Sequence, residues 1–205
     1  MNAQRVNTTR RGQSRGFTLI ETMISVVVLV VGILGLAAML ADGLAYMTTA
    51  QYDYIAQQKA AEAVESIFTA RDVGQQGWST ICNVGSAVCA GGIFLNGGQQ
   101  MCDPGADGIV GTADDFTGTV CTVQSDAVML PSNSTGQYST SGGASTAIRV
   151  PLSTYKFLRT IAITNVLTAG GAVIPNLRQI QVTITYSVGK FQRTYTMISD
   201  ISNFS

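Results

Sequence analysis

No histidine occurs among the 205 residues. That removes imidazole from any catalytic or zinc-binding arrangement and leaves the many serines without a Ser-His-Asp relay. Charge is scarce too: only 12% of residues are charged, 12 basic against 12 acidic, for a formal net charge of zero. No nucleic-acid partner is expected. Proline is rare, and none of the four precedes Pro104. The first half of the chain therefore lacks the residue that most surely breaks a helix. The pairs Gly91-Gly92 and Gly97-Gly98 lack the lysine and helix start of a phosphate loop. There is no internal repeat, and one head of about 130 residues on a helical stem fits the length better than several domains.

What the chain does have is one long apolar run. Residues 17–40, FTLIETMISVVVLVVGILGLAAML, carry a single charged side chain, Glu21. At about 1.5 Å per helical residue this run reaches ~36 Å, enough for a bilayer core of roughly 30 Å. A carboxylate there costs on the order of 2.5–3.5 kcal/mol in lipid, so its presence needs a reason. Ahead of the run lie Arg5, Arg10, Arg11 and Arg15 with no acid among them, which holds the leader in the cytoplasm and sends the rest across the membrane. Gly32, Gly35, Ala37 and Ala38 are small enough to let apolar helices approach closely.

The junction Gly16-Phe17-Thr18-Leu19-Ile20-Glu21 resembles the class III signal of type IV pilins and pseudopilins. An ordinary secretory signal is cut after its apolar segment; here the basic-to-apolar junction is itself the motif. The resemblance implies cleavage after Gly16 by a prepilin peptidase and N-methylation of Phe17. It also implies a role for Glu21: in the dry core of a filament its carboxylate meets the cationic amino terminus of a neighbouring subunit. A snorkelling acid near the interface is the plainer reading of the same residue. Loss of the leader removes four of the twelve basic residues, so the mature chain is mildly acidic.

All four cysteines, Cys82, Cys89, Cys102 and Cys121, fall in the part expected to be exported, where an even count reads as disulfides. Pairs Cys82–Cys89 and Cys102–Cys121 are favoured because each closes a local loop, although four cysteines allow three pairings. A zinc site of four thiolates is the rival; no C-x-x-C spacing supports it.

Asp103-Pro-Gly-Ala-Asp107-Gly-Ile-Val-Gly-Thr-Ala-Asp114-Asp115 gathers four carboxylates and three glycines into 13 residues. Like charges so close either stay solvated or bridge a cation. Ca²⁺, with 6–8 oxygen ligands, is the candidate for Asp103, Asp107, Asp114 and Asp115, although the spacing is not an EF-hand. A solvated acidic turn is the alternative. Asn133-Ser134-Thr135 is a glycosylation-type sequon of the sort chance supplies in a serine-rich tract.

The helix is expected to continue past Leu40 to about Arg71. Ala56, Ala60, Ala63, Val64, Ile67 and Phe68 follow three- and four-residue spacing, with Lys59, Glu62 and Glu65 mostly off that stripe. Tyr46, Tyr52 and Tyr54 suit a membrane interface or filament packing, and Trp78 suits the core or a loop anchor. Residues 74–147 read as loops with short strands, the tract 132–146 as a mobile surface loop. Residues 155–166 read as a strand. Ile180, Val182, Ile184, Tyr186 and Val188 alternate with polar residues, Gly189-Lys190 reads as a turn, and 191–201 returns as a partner strand.

The expected fold is therefore α+β, a stem helix packed on three antiparallel strands. Its divisions are a leader at 1–16, a membrane half of the stem at 17–40, an amphipathic half at 41–73 and a head at 74–205. The head itself splits into 74–147 and 148–205. This layout looks most like the PilV-type minor pilins. It implies a non-enzymatic subunit of the inner membrane, later of a pilus, with other pilins and an inner-membrane assembly platform as partners. A pseudopilin of a type II secretion machine and a membrane-tethered binding module that never polymerises are the alternatives.

Overall fold

The computed structural model describes residues 16–130 and 148–203. The leader arginines, the tract 132–146 and its sequon lie outside the described residues. With no proline and few glycines to stop it, the chain forms one helix of 54 residues, α1, Leu19–Asp72. Gly74 ends it in the left-handed conformation, φ +72°, which costs glycine nothing. The Gly74 N–H donates to the Arg71 carbonyl at 3.0 Å, and the Gln76 N–H to that of Ala70 at 3.0 Å.

Two compact units divide at Met47 and Thr48. In the first, every described residue is exposed. Helix α1 is long and apolar enough there to cross a membrane. The second unit holds the sheets and the rest of α1. Its strands in chain order are β1 (Gln99–Gln100), β2 (Phe116–Thr117), β3 (Val120–Cys121), β4 (Ala127–Leu130), β5 (Ile148–Pro151), β6 (Leu158–Leu167), β7 (Val173–Val188) and β8 (Phe191–Ser202). The main sheet is antiparallel in the order β1-β6-β7-β8, and β2-β3 and β4-β5 form two small ribbons.

Alternation along β7 does what period two requires. Ile180, Val182, Ile184 and Tyr186 are buried, while Gln181 is exposed and Gln179, Thr183 and Thr185 are half-buried. They pack with Ile161, Ile163 and Ile201 of the neighbouring strands against a face of α1 made of Ala56, Ala60, Ala63, Ile67 and Ala70. The alanines let the helix lie close to the sheet, and each buried isoleucine contributes about 1.5–3 kcal/mol. Phe94, Met101, Ile109 and Phe157 from the loops complete this core.

Three details differ from the sequence reading. The sheet has a fourth strand, β1, too short for alternation to show. β7 begins at Val173, because Pro175 and Asn176 near its start break the apolar pattern without breaking the ladder. Lys59, expected off the buried stripe, is itself buried.

Candidate functional site

Thr18 starts the helix. Its carbonyl accepts the N–H groups of Glu21 and Thr22 at 3.1 and 3.2 Å, and its hydroxyl accepts the Glu21 N–H at 3.3 Å. Thr18-x-x-Glu21 has the spacing of a capping box, which satisfies donors that the first turn leaves open. Glu21 thus sits at the positive end of the helix dipole, where a carboxylate is favoured. The sequence held this signal at Thr18, but the hexapeptide was read only as a processing motif. Ahead of the cap, Gly16 and Phe17 are exposed, as a bond to be cut must be. Beside Gly32 and Gly35 an added Cβ would meet nothing within 4 Å. Apolar surface this extensive has to be covered by lipid or by other helices.

In the second unit Cys82 is bonded to Cys89 and Cys102 to Cys121, with Cα separations of 6.0 and 5.4 Å. No described cysteine is free, so no thiolate is left for zinc. The second bond lies beside the acidic segment. Cys102 bridges to Ser125, and Asp103 N–H donates to the Gln124 carbonyl at 3.0 Å.

The acidic segment folds around a 3₁₀ turn at Ala113–Asp115. One oxygen each from Asp107, Asp114 and Asp115 lies within 4.8 Å of the others; Asp103 does not join them. Asp115 is 0% exposed and accepts the N–H groups of Gly105 at 2.8 Å and Gly111 at 2.6 Å. Asp114 accepts the Thr112 hydroxyl at 2.5 Å and the Asp107 N–H at 3.1 Å, and Asp107 accepts the Ile109 N–H at 2.8 Å. Gly105 has to be glycine, since a Cβ there would collide with the Asp114 carboxylate and backbone.

Burial raises the Asp115 pKa against the pull of those two N–H groups and of Arg159. Burial also raises Asp107, and the neighbouring Asp114 charge adds to the rise. For Asp114 burial acts upward as well, yet the Thr112 hydroxyl and the backbone donors outweigh it and the pKa falls. Three carboxylate oxygens in so small a span suit a single Ca²⁺ with ligands at about 2.3–2.6 Å. Each oxygen has a second lone pair beyond the hydrogen bond it already accepts.

Below this loop is a buried charge network that the sequence did not reveal. Lys59 Nζ lies 2.9 Å from Asp126 Oδ1 and 2.6 Å from Glu62 Oε2. Arg159 is nearly as enclosed and feels the charges of Asp126, Asp115 and Glu62; its Nε has no hydrogen-bond partner among the described residues. Elsewhere Arg178 stacks over Trp78 at 4.1 Å and donates to the Ile81 carbonyl at 2.7 Å, so Trp78 is a loop anchor. Tyr52 packs against Phe157 with ring centroids 6.1 Å apart, whereas Tyr46 and Tyr54 are exposed.

A family model, the prokaryotic N-terminal methylation motif, matches residues 11–37. No curated protein and no solved structure matches the chain. The matched stretch spans the Gly16-Phe17 junction, the Thr18 cap, Glu21 and most of the apolar run. The chain therefore carries a type IV pilin-like prepilin signal on an α+β scaffold.

Proposed function

We propose that the chain is a minor type IV pilin. It is cut between Gly16 and Phe17, held in the inner membrane by residues 17–40, and then drawn into a pilus. There it helps to start assembly or presents its head for adhesion. The observation that carries this reading is the methylation-motif match at residues 11–37, ending in a helix whose exposed apolar length the chain itself does not cover.

The chemistry follows from the first turn. In lipid an ionised Glu21 is poorly solvated. In a bundle of stems, the new amino terminus at Phe17 of a neighbour supplies the opposite charge, and pairing the two costs far less than leaving either alone. The helix dipole and the Thr18 cap hold Glu21 where that contact forms. The partners in this reading are the prepilin peptidase, other pilin subunits along the stem, and the inner-membrane assembly platform. Ca²⁺ belongs to the proposal too: Asp107, Asp114 and Asp115 would hold it, and it would supply the charge that lets all three stay ionised.

Replacing Glu21 by alanine tests the assignment. The Glu21→Ala protein is expected in the membrane in normal amount but missing from sheared surface filaments. Normal incorporation of the variant would count against the role of Glu21. Recovery of the wild type only in the envelope, with protein export lost on deletion, would move the assignment to a pseudopilin of a secretion machine.

A further inference from the structure

In the second unit, helix α1 and the open edge strand β8 enclose a cleft of about 460 Å³, within the size range of small-molecule sites. Asp53 and Gln57 form the helix wall. Tyr186, Arg193 and Tyr195 come from the hairpin, with Gln192 and Thr194 at the rim. Two of these groups hold each other in place. Asp53 accepts the Tyr186 hydroxyl, and Arg193 Nη1 lies 3.2 and 3.1 Å from its two oxygens. The carboxylate and the guanidinium are thus fixed as a charge-balanced pair at the cleft's back, each about half exposed.

The other polar groups are unspent. Among the described residues the side chains of Gln57, Gln192 and Thr194 make no hydrogen bond, nor do Nε and Nη2 of Arg193. Tyr195 lays part of its ring on the core and leaves the rest facing the cleft. This set discriminates among ligands. A cation meets Arg193 and an anion meets Asp53, so neither sign of charge is welcome. An apolar guest would strip water from two amides and a hydroxyl without replacing its hydrogen bonds. A neutral polyol satisfies them all. Planar amide, carboxylate and guanidinium groups bond neighbouring hydroxyls in pairs, while the flat apolar side of a sugar ring covers a tyrosine.

We propose that this cleft binds a neutral saccharide about two pyranose rings long, as a site independent of filament assembly. The test uses the full chain in a sugar-free detergent, with saturation-transfer NMR to cellobiose, maltose and lactose. Transfer to the ring protons of at least one disaccharide is expected. The double variant Gln57→Ala, Gln192→Ala removes two exposed side chains with no protein partners, so its melting should be unchanged while affinity falls about tenfold or more. Thr194→Trp, which fills the cleft, should abolish transfer. Absence of transfer from all three sugars, or transfer that survives both variants, overturns the proposal. So does a wild type that takes no sugar while the variants drop out of filaments, since the cleft would then be a subunit contact.

Discussion

Lys59 shows how much a single side chain depends on distant chain. Its ammonium, 11% exposed, bonds Asp126, 67 residues away, as well as Glu62 one turn on. Helical spacing could only place it beside the alanine stripe; that it turns inward follows from a carboxylate delivered by the segment before β4, which no local pattern announces. Removing one partner of a buried pair leaves the other charge stranded. Lys59→Met should therefore cost about 3 kcal/mol in urea unfolding, the low end for such pairs, because Ala127 N–H still holds Asp126 Oδ1 at 2.7 Å. A loss within error of zero would mean that water already screens the pair. Tyr186 makes a second residue-scale case. Burial, and then its bond to Asp53, push its phenol up to about 12. Because the folded value lies above the ordinary 10, its contribution is complete below about pH 10 and fades as pH climbs through about 12. Tyr186→Phe should flatten that alkaline loss of stability, and an unchanged slope would contradict the assignment.

Among the elements, strand β7 and the stripe on α1 were legible because their periods of 2 and 3.6 are driven by one-sided burial. The head's middle segment was legible only in its cysteines and acids. Its backbone is held by disulfides and carboxylate-to-amide bonds, and such contacts leave no periodic trace. Four aspartates looked equivalent in the sequence; folding brings three together and leaves Asp103 beside the Cys102–Cys121 bond. The two disulfides close stretches of 7 and 19 residues. Loop-closure entropy assigns them about 2 and about 3 kcal/mol. Serine pairs at Cys102 and Cys121 should thus lower stability more than serine pairs at Cys82 and Cys89, and the reverse order in urea unfolding would show that native contacts outweigh the chain-entropy effect. The acidic loop has its own pH signature. Asp107 and Asp115 titrate above the ordinary carboxylate value, so their contribution is present in acid and lost as pH rises through those raised values. Calcium should offset that loss, raising the melting temperature of the full chain in detergent by about 5 °C at pH near 7 and less near pH 4. Identical melting with millimolar calcium and with chelator would remove the ion from the account.

At the scale of the whole molecule, two materials meet in one chain. One part has an apolar helix that buries nothing of its own; the other has an ordinary core sealed by a sheet and two disulfides. A chain arranged in this way is stable only in contact with lipid or with its like, and the leader decides when the second becomes available. Cutting after Gly16 removes four positive charges from the cytoplasmic end and exposes a primary amine five positions from Glu21 in the numbering, at Phe17. The account rests on that cut. Mass spectrometry of the protein's amino terminus, taken from cells that possess a prepilin peptidase, measures it directly. The predicted terminus is N-methylated Phe17; a terminus that still carries Arg5, Arg10, Arg11 and Arg15 would contradict it.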